Sequence, residues 1–474
     1  MEFEFSVQII DKFIGGGLVF IYLAAFLKFN LIKIAQLNRS SVMNHIYRSI
    51  WSESLATWIA VPEHTKGKAK NSSKGNKSVE VMTASPLKDW QSSTPLLATS
   101  LLLCSSAAWA LPTGDQLIAG QVTINTPSAG QMQIDQTSQQ AIINWQGFSI
   151  AHNEAVNIQQ PNAQAALLNR VVGQDASQIQ GQLHANGQVY LVNPNGVVFG
   201  KTAQVDVGGL IASTHNIKDA DFLNGVQHFT QDNATGTVSN QGTITTPDGG
   251  VVAFIGNQVS NDGTINTPKG TTALAAGKTV DLDFTGNGLI EVKVSEAALN
   301  AQITNKGAIQ ADGGRVVLTA KAAGQLIDTV INQAGIIKAQ GLVERNGEII
   351  LDGGDNGTVQ VSGAVDTSTN QGLNSNNSSN GSPNLGLNAT GGNITVKGAD
   401  IQLVNGAIVN ATGNTGGGTI TIGDKQSTQQ TTIVQGATVT AQTLNSGTAG
   451  TIKVFANMDN GTVNVAGKLD ALCT

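Results

Sequence analysis

The sequence predicts an all-β protein, and more narrowly a β-solenoid built from stacked rungs of short strands. Three observations carry this. From residue 236 the chain repeats itself: Val238-Ser239-Asn240-Gln241-Gly242-Thr243-Ile244 recurs as Val259-Ser260-Asn261-Asp262-Gly263-Thr264-Ile265. Ile303–Ile309 is a third copy and Ile331–Ile337 a looser fourth. Composition agrees, because 55 of the 474 residues are Gly, only 12% are charged and 4% aromatic. A globular enzyme of this length carries about twice that charge. Finally, Gln188–Gly200 (QVYLVNPNGVVFG) reads as strand, turn, strand. Two β-branched or aromatic runs flank Asn193-Pro194-Asn195-Gly196, where Asn, Pro and Gly suit the first, second and fourth places of a type I turn.

The first segment, residues 1–42, holds an apolar run, Phe13–Leu27, shorter than the ~20 residues that span a bilayer. It is expected to be an upstream extension, with the better start at Met43. Residues 43–110 read as an extended signal peptide. An aromatic and basic opening is followed by a lysine-rich piece, then an apolar core, Pro95–Cys104, then Ala108-Trp109-Ala110. That small-x-small pattern predicts signal-peptidase cleavage between Ala110 and Leu111. Met43-Asn44, Ile46-Tyr47-Arg48, Ile50-Trp51 and Trp58–Val61 resemble the extended signal peptide of very large secreted proteins of Gram-negative bacteria. Removal of Cys104 with the leader leaves Cys473 as a lone thiol, which suits a long solenoid that needs no disulfide.

Residues 111–360 are expected to form the main β-helical domain. Gln121–Asn125, Ala141–Trp145 and Ala155–Gln159 read as strands, whereas Asn162–Arg170 (NAQAALLNR) has helical composition. Phe148–Ile150 and Ala163–Val171 are expected in an N-terminal cap, because an open solenoid edge exposes unpaired backbone. In each repeat, inward Val, Ile, Leu and Ala should stack on their equivalents ~4.8 Å away. Asn at the corner is expected to tolerate left-handed backbone and to bond up the stack. Residues 361–474 read as further repeats, interrupted by an Asn/Ser/Gly loop at 366–392 that has little to bury. Rungs then run to Thr474 with no visible polar cap, the pattern of a truncated array.

Leu183–Thr214 resembles the secretion domain of two-partner secretion exoproteins, the family of the filamentous hemagglutinins. The matching residues are Asn186–Val189, Val192–Gly196, Phe199-Gly200-Lys201 and Gly209–Thr214, with Asn169-Arg170-Val171 upstream. The chain is more similar to the high-molecular-weight adhesins and heme–hemopexin-binding proteins than to the hemagglutinin prototype, whose second Asn-Pro-Asn-Leu motif is absent. The resemblance implies a right-handed parallel β-helix, cleaved by signal peptidase after the Sec translocon. It also implies a partner, an outer-membrane β-barrel transporter with periplasmic docking domains, and display at the cell surface. A host-cell receptor or matrix is the expected target of an adhesin. Capture of a heme carrier, or service as the stalk of a cytolysin or contact-dependent inhibition toxin, are the alternatives.

Other chemistry finds little footing. A net charge of −6 offers no basic face for nucleic acid. Gly196–Thr202 and Ala273–Thr279 approach a phosphate loop, but Asn195 and Thr272 stand where Gly is required. His152, His184, His215 and His228 lack partners at ligand spacing and are expected at the surface or at corners. Asp281 and Asp283 read as a solvated strand face. No enzyme activity, metal site or cofactor is expected.

Overall fold

Val238, Val259, Ile303 and Ile331 lie directly over one another, in register, as the repeat predicts. A computed structural model describes residues 111–284, 289–323, 329–342, 345–369, 389–445 and 447–473, and the backbone of a hairpin, Tyr47–Ser52 against Thr57–Pro62. The hairpin belongs to one compact unit and the β-helix to a second. The upstream extension and most of the 366–392 loop lie outside the described residues.

Each rung contributes strands to three faces. The first face is a ten-stranded parallel sheet running from Ser177–Ile179 to Thr462–Val465. A second face carries short strands such as Thr243–Thr245, Thr264–Asn266 and Ala308–Gln310. The third carries longer ones, including Val251–Gly256, Thr271–Ala276 and Arg315–Ala320. Stacking identical faces aligns side chains into continuous interior ladders. Ile244, Ile265, Ile309 and Ile337 form one such ladder, each at most 1% exposed. The protein is therefore an all-β parallel β-helix.

The corners after the first face depart from the expectation in their backbone and meet it in their side chains. Among the described residues only Asp232 and Lys269 combine a side chain with positive φ, so the corner Asn residues are not left-handed. Their amides form a buried ladder, as expected. Asn240 Nδ2 donates to Asn261 Oδ1, Asn261 to Asn305, and Asn305 to Gln333 Oε1, each at 2.8 Å. The following Gly is required by close approach. A Cβ on Gly263 would sit 2.2 Å from the Gly242 carbonyl oxygen.

Two more expectations are corrected. Asn162–Arg170 forms no helix; Ala166–Val171 is a strand held between Gln140–Trp145 and Gln188–Val192. Pairing on both edges outweighs the helical preference of Ala and Leu. The cap also lies earlier than 148–171. Gln116–Ala119 pairs antiparallel with Gln140–Trp145, and Val122–Ser128 antiparallel with Gln131–Gln136. Reversed strands end the parallel stack at both faces.

The third face is buried on both sides over part of its length. A four-stranded antiparallel sheet lies on its outside, in the order Asn216–Ile217, Gln227–Thr230, Thr279–Asp283, Glu291–Glu296. A short helix, Asp219–Leu223, joins its first two strands. Ile217, Phe222, Phe229 and Val280 pack on Leu168, Tyr190, Ile211 and Ile255 as a second apolar cluster outside the solenoid. This explains strands such as Thr271–Ala276, in which every residue is buried.

Candidate functional site

The Asn193–Gly196 turn is a corner of the helix, between the end of Gln182–Val192 on the third face and Val197–Phe199 on the first. The local chemistry follows the sequence. Gly196 N–H donates to Asn193 O at 3.0 Å, closing the turn. Asn195 N–H donates to Asn193 Oδ1 at 2.9 Å, the side-chain turn that Asn favours. Gly196 has φ +121°, where a Cβ would be strained.

Its wider connections could not be read locally. Asn193 is fully buried. Its Nδ2 donates to Asp175 O and Ser177 Oγ, both at 3.0 Å, and so reaches down to the preceding rung. Asn195 Nδ2 donates to Gly173 O at 2.9 Å. Asn193 N–H donates to Ser213 O at 2.9 Å, and Pro194 O accepts from Gly236 N–H at 3.0 Å. Ser213 and Gly236 bracket the excursion that carries the first two strands of the outer sheet. The turn thus sits between the exit and return of that excursion.

Asn169 and Arg170, two residues singled out by the resemblance, complete the surroundings. Asn169 is buried; its Oδ1 accepts from Trp145 Nε1 at 3.0 Å, and its Nδ2 donates to Tyr190 O at 3.3 Å. Arg170 ties the wall to the excursion. It pairs with Asp219 at 2.6 Å and donates to Ile217 O at 2.6 Å and Asn216 Oδ1 at 3.1 Å. Between turn and excursion lies a groove of about 410 Å³, lined by Arg170, Gln174, Pro194, Asn195, Asn233 and Ala234 among others.

The histidines divide. His152 is exposed in a turn, and His184 lines an open groove of about 640 Å³ with Asn157 and Asp206. His215 is not at the surface but fully buried, where the first excursion leaves the wall. Burial pulls its pKa down to about 4, against smaller upward pulls from Asn257 and Asp232, so it is neutral near pH 7. His228 faces Asp281 across the outer sheet, with Nδ1 and Oδ1 2.5 Å apart. Partial burial pushes the Asp281 carboxyl up, but bonds from Ser295 and His228 outweigh it and hold the group below the usual range. His228 and Ser295 both bond the same carboxylate, an arrangement that caps a charge and does not activate the hydroxyl. Asp281 is therefore a paired group in a half-exposed sheet. Among the described residues no group of three or more acidic, His or Cys side chains is placed to hold a metal. Ala108 and Ala110 of the cleavage pattern lie outside the described residues, and Leu111 packs partly buried against the core.

A parallel β-helix with a reversed N-terminal cap, an external sheet and this turn in its early rungs defines the secretion module of an exported bacterial protein. The chain belongs to the TPS secretion domain family, which it matches over residues 110–367. Residues 43–91 match the extended signal peptide of the type V secretion system. The fold is similar to the HMW1 secretion domain of Haemophilus influenzae, with TM-score 0.61 and 26% identity, covering 76% of this chain and all of that one. Two heme/hemopexin-binding proteins of Haemophilus influenzae are also similar. One is 33% identical over 278 residues, 53% of this chain and 29% of the relative. The other is 32% identical over 252 residues, 52% and 27%. The chain thus spans under a third of the length of these relatives. It is a two-partner secretion exoprotein, secreted to the surface of Gram-negative bacteria.

Proposed function

We propose that this exoprotein is an adhesin. Residues 111–360 would serve export through a cognate outer-membrane β-barrel transporter, and the β-helix would present the surface that meets a host-cell receptor or matrix. The observation that carries the reading is a secretion domain occupying more than half the chain, of the same fold as the HMW1 secretion domain. Among the described residues the nearest approach to a catalytic constellation is a capped carboxylate, and that favours binding over catalysis. Deleting the transporter should leave the product in the periplasm. Surface display at wild-type level without it would refute the export reading.

In the same reading the Asn193 turn shapes the exported fold more than it touches the transporter. Asn193→Ala removes bonds to Asp175 O and Ser177 Oγ and should weaken this corner by about 2 kcal/mol. The exported fraction should fall while adhesion per exported molecule stays constant. Normal secretion and protease resistance of Asn193→Ala/Gly196→Val would count against it.

The two heme/hemopexin-binding relatives favour a second reading, capture of a host heme carrier. Immobilised protein that retains no hemopexin from serum would remove it.

A further inference from the structure

The outer sheet is assembled from two excursions that leave the helix more than one rung apart. The first departs after Ser213 and returns at Gly236; the second lies between the strands Thr271–Ala276 and Gln302–Asn305. Neither is self-sufficient. In the first, Asn216–Ile217 offers two residues of pairing to Gln227–Thr230, and the helix has five residues. Elements this short are not stable alone in water. The other edge of Gln227–Thr230 finds its partner only in Thr279–Asp283, where Phe229 faces Val280 and His228 faces Asp281. The sequence separation between His228 and Asp281 is 53 residues.

We propose that the two excursions form one clasp, which closes only after the strands Thr279–Asp283 and Glu291–Glu296 are in place. Interior rungs can stack as the chain advances, each needing only its neighbour. The outside of the third face cannot follow that order. Tyr190 and Ile211 lie early in the helix, yet their cover is Phe222 and Phe229, which are held through Val280. Tyr190 meets Phe222 edge to face at 5.1 Å, and Phe222 and Phe229 are at most 1% exposed. The second excursion is in turn anchored further on, since Arg315 donates to Ile290 O at 3.4 Å and pairs with Glu348 at 2.6 Å. The early rungs therefore gain their full protection after later ones have stacked.

Pulse-labelled hydrogen exchange during refolding of the full exported chain tests the order. Amides of Val251–Gly256 and Thr271–Ala276 should gain protection first. Those of Gln227–Thr230 and Thr279–Asp283 should follow, together. Protection of Gln227–Thr230 before Thr279–Asp283 would overturn the proposal. At equilibrium, Val280→Asp should lower protection in Gln227–Thr230 by about a hundredfold, the scale of a charge forced into an apolar site, and spare Val238–Asn240. Should that variant not fold, Val280→Ala should give the same pattern at smaller amplitude. Unchanged protection of Gln227–Thr230 in Val280→Ala would also overturn it.

Discussion

The third face has two halves that share a backbone and differ in what lies outside. One outward ladder runs through Leu168, Tyr190, Ile211, Ala253, Ala273 and Val317, then Ile350, Thr395, Thr421 and Lys453. The members up to Val317 are buried; from Ile350 onward they are half-buried or exposed. The change falls where the outer sheet ends. The inward neighbours on the same strands do not change character as far as Ile420: Leu210, Val252, Val316, Ile349 and Ile420 are all buried. The interior is thus set by the rung, and the exterior by its cover. A strand reads as a continuous apolar run under the clasp and as alternation beyond it, as in Asn393–Lys397.

The largest test of this contrast places one charge at equivalent positions. Ile211→Asp puts a carboxylate between wall and clasp, where it has no partner. It should cost about 4 kcal/mol or more, or prevent the early rungs from folding. Thr421→Asp, on the same ladder in the bare half, should stay within about 0.5 kcal/mol. Denaturant unfolding with hydrogen exchange reads both. Equal costs would show that the cover does not make the difference.

A smaller effect separates the halves by pH. His215 lies at the root of the clasp, and the bare half has no counterpart. The unfolded chain takes up this proton near pH 6.5, but the folded chain refuses it until about pH 4. Protons therefore favour unfolding between those values. The contribution is complete above about pH 6.5 and is lost as pH falls toward 4, by about 3 kcal/mol in all. Asn216–Thr230 should lose exchange protection over that window while Thr419–Ile422 does not. His215→Gln should flatten the dependence, and a slope unaltered by His215→Gln would assign it elsewhere.

What was legible in the sequence follows the same division. The interior ladders repeat, so Val238, Val259, Ile303 and Ile331 could be aligned by eye. The Asn193 turn was legible because its closing bonds are local. Its bonds to Asp175, Ser177 and Gly236 were not, because rung stacking alone brings those residues together. The cap left no periodic signal, since reversed strands such as Val122–Ser128 occur once. The clasp was invisible because its halves are far apart in the chain, so Asp281 read as a solvated face and His215 as a corner. Ala166–Val171 was misread because its Ala and Leu serve two packed faces at once, and that leaves no alternation to distinguish strand from helix.

The corner amides sharpen the contrast from inside the helix. The ladder position held by Asn240, Asn261, Asn305 and Gln333 passes to Val361, Leu403 and Ile433 in later rungs, with the backbone register kept. The fold therefore accepts either chemistry at this corner, and where the two meet Gln333 Nε2 turns to backbone, donating to Gly335 O at 2.9 Å and Ala364 O at 3.3 Å. Asn261→Val would leave Asn305 Oδ1 without its donor and take from Asn240 Nδ2 its 2.8 Å acceptor, both in a dry interior. That variant should cost about 2 kcal/mol, mostly the penalty of the two stranded partners. Replacing all four amides by Val or Leu leaves no amide unpaired inside the stack, although Gly242 N–H loses Asn240 Oδ1, and should cost less than four single losses. Local opening energies of Gln258–Asn261 and Gln302–Asn305, measured by hydrogen exchange, decide the matter. Additive losses across the four sites would mean that each amide stabilises its own rung independently. The non-additive result would mean that the ladder acts as a unit.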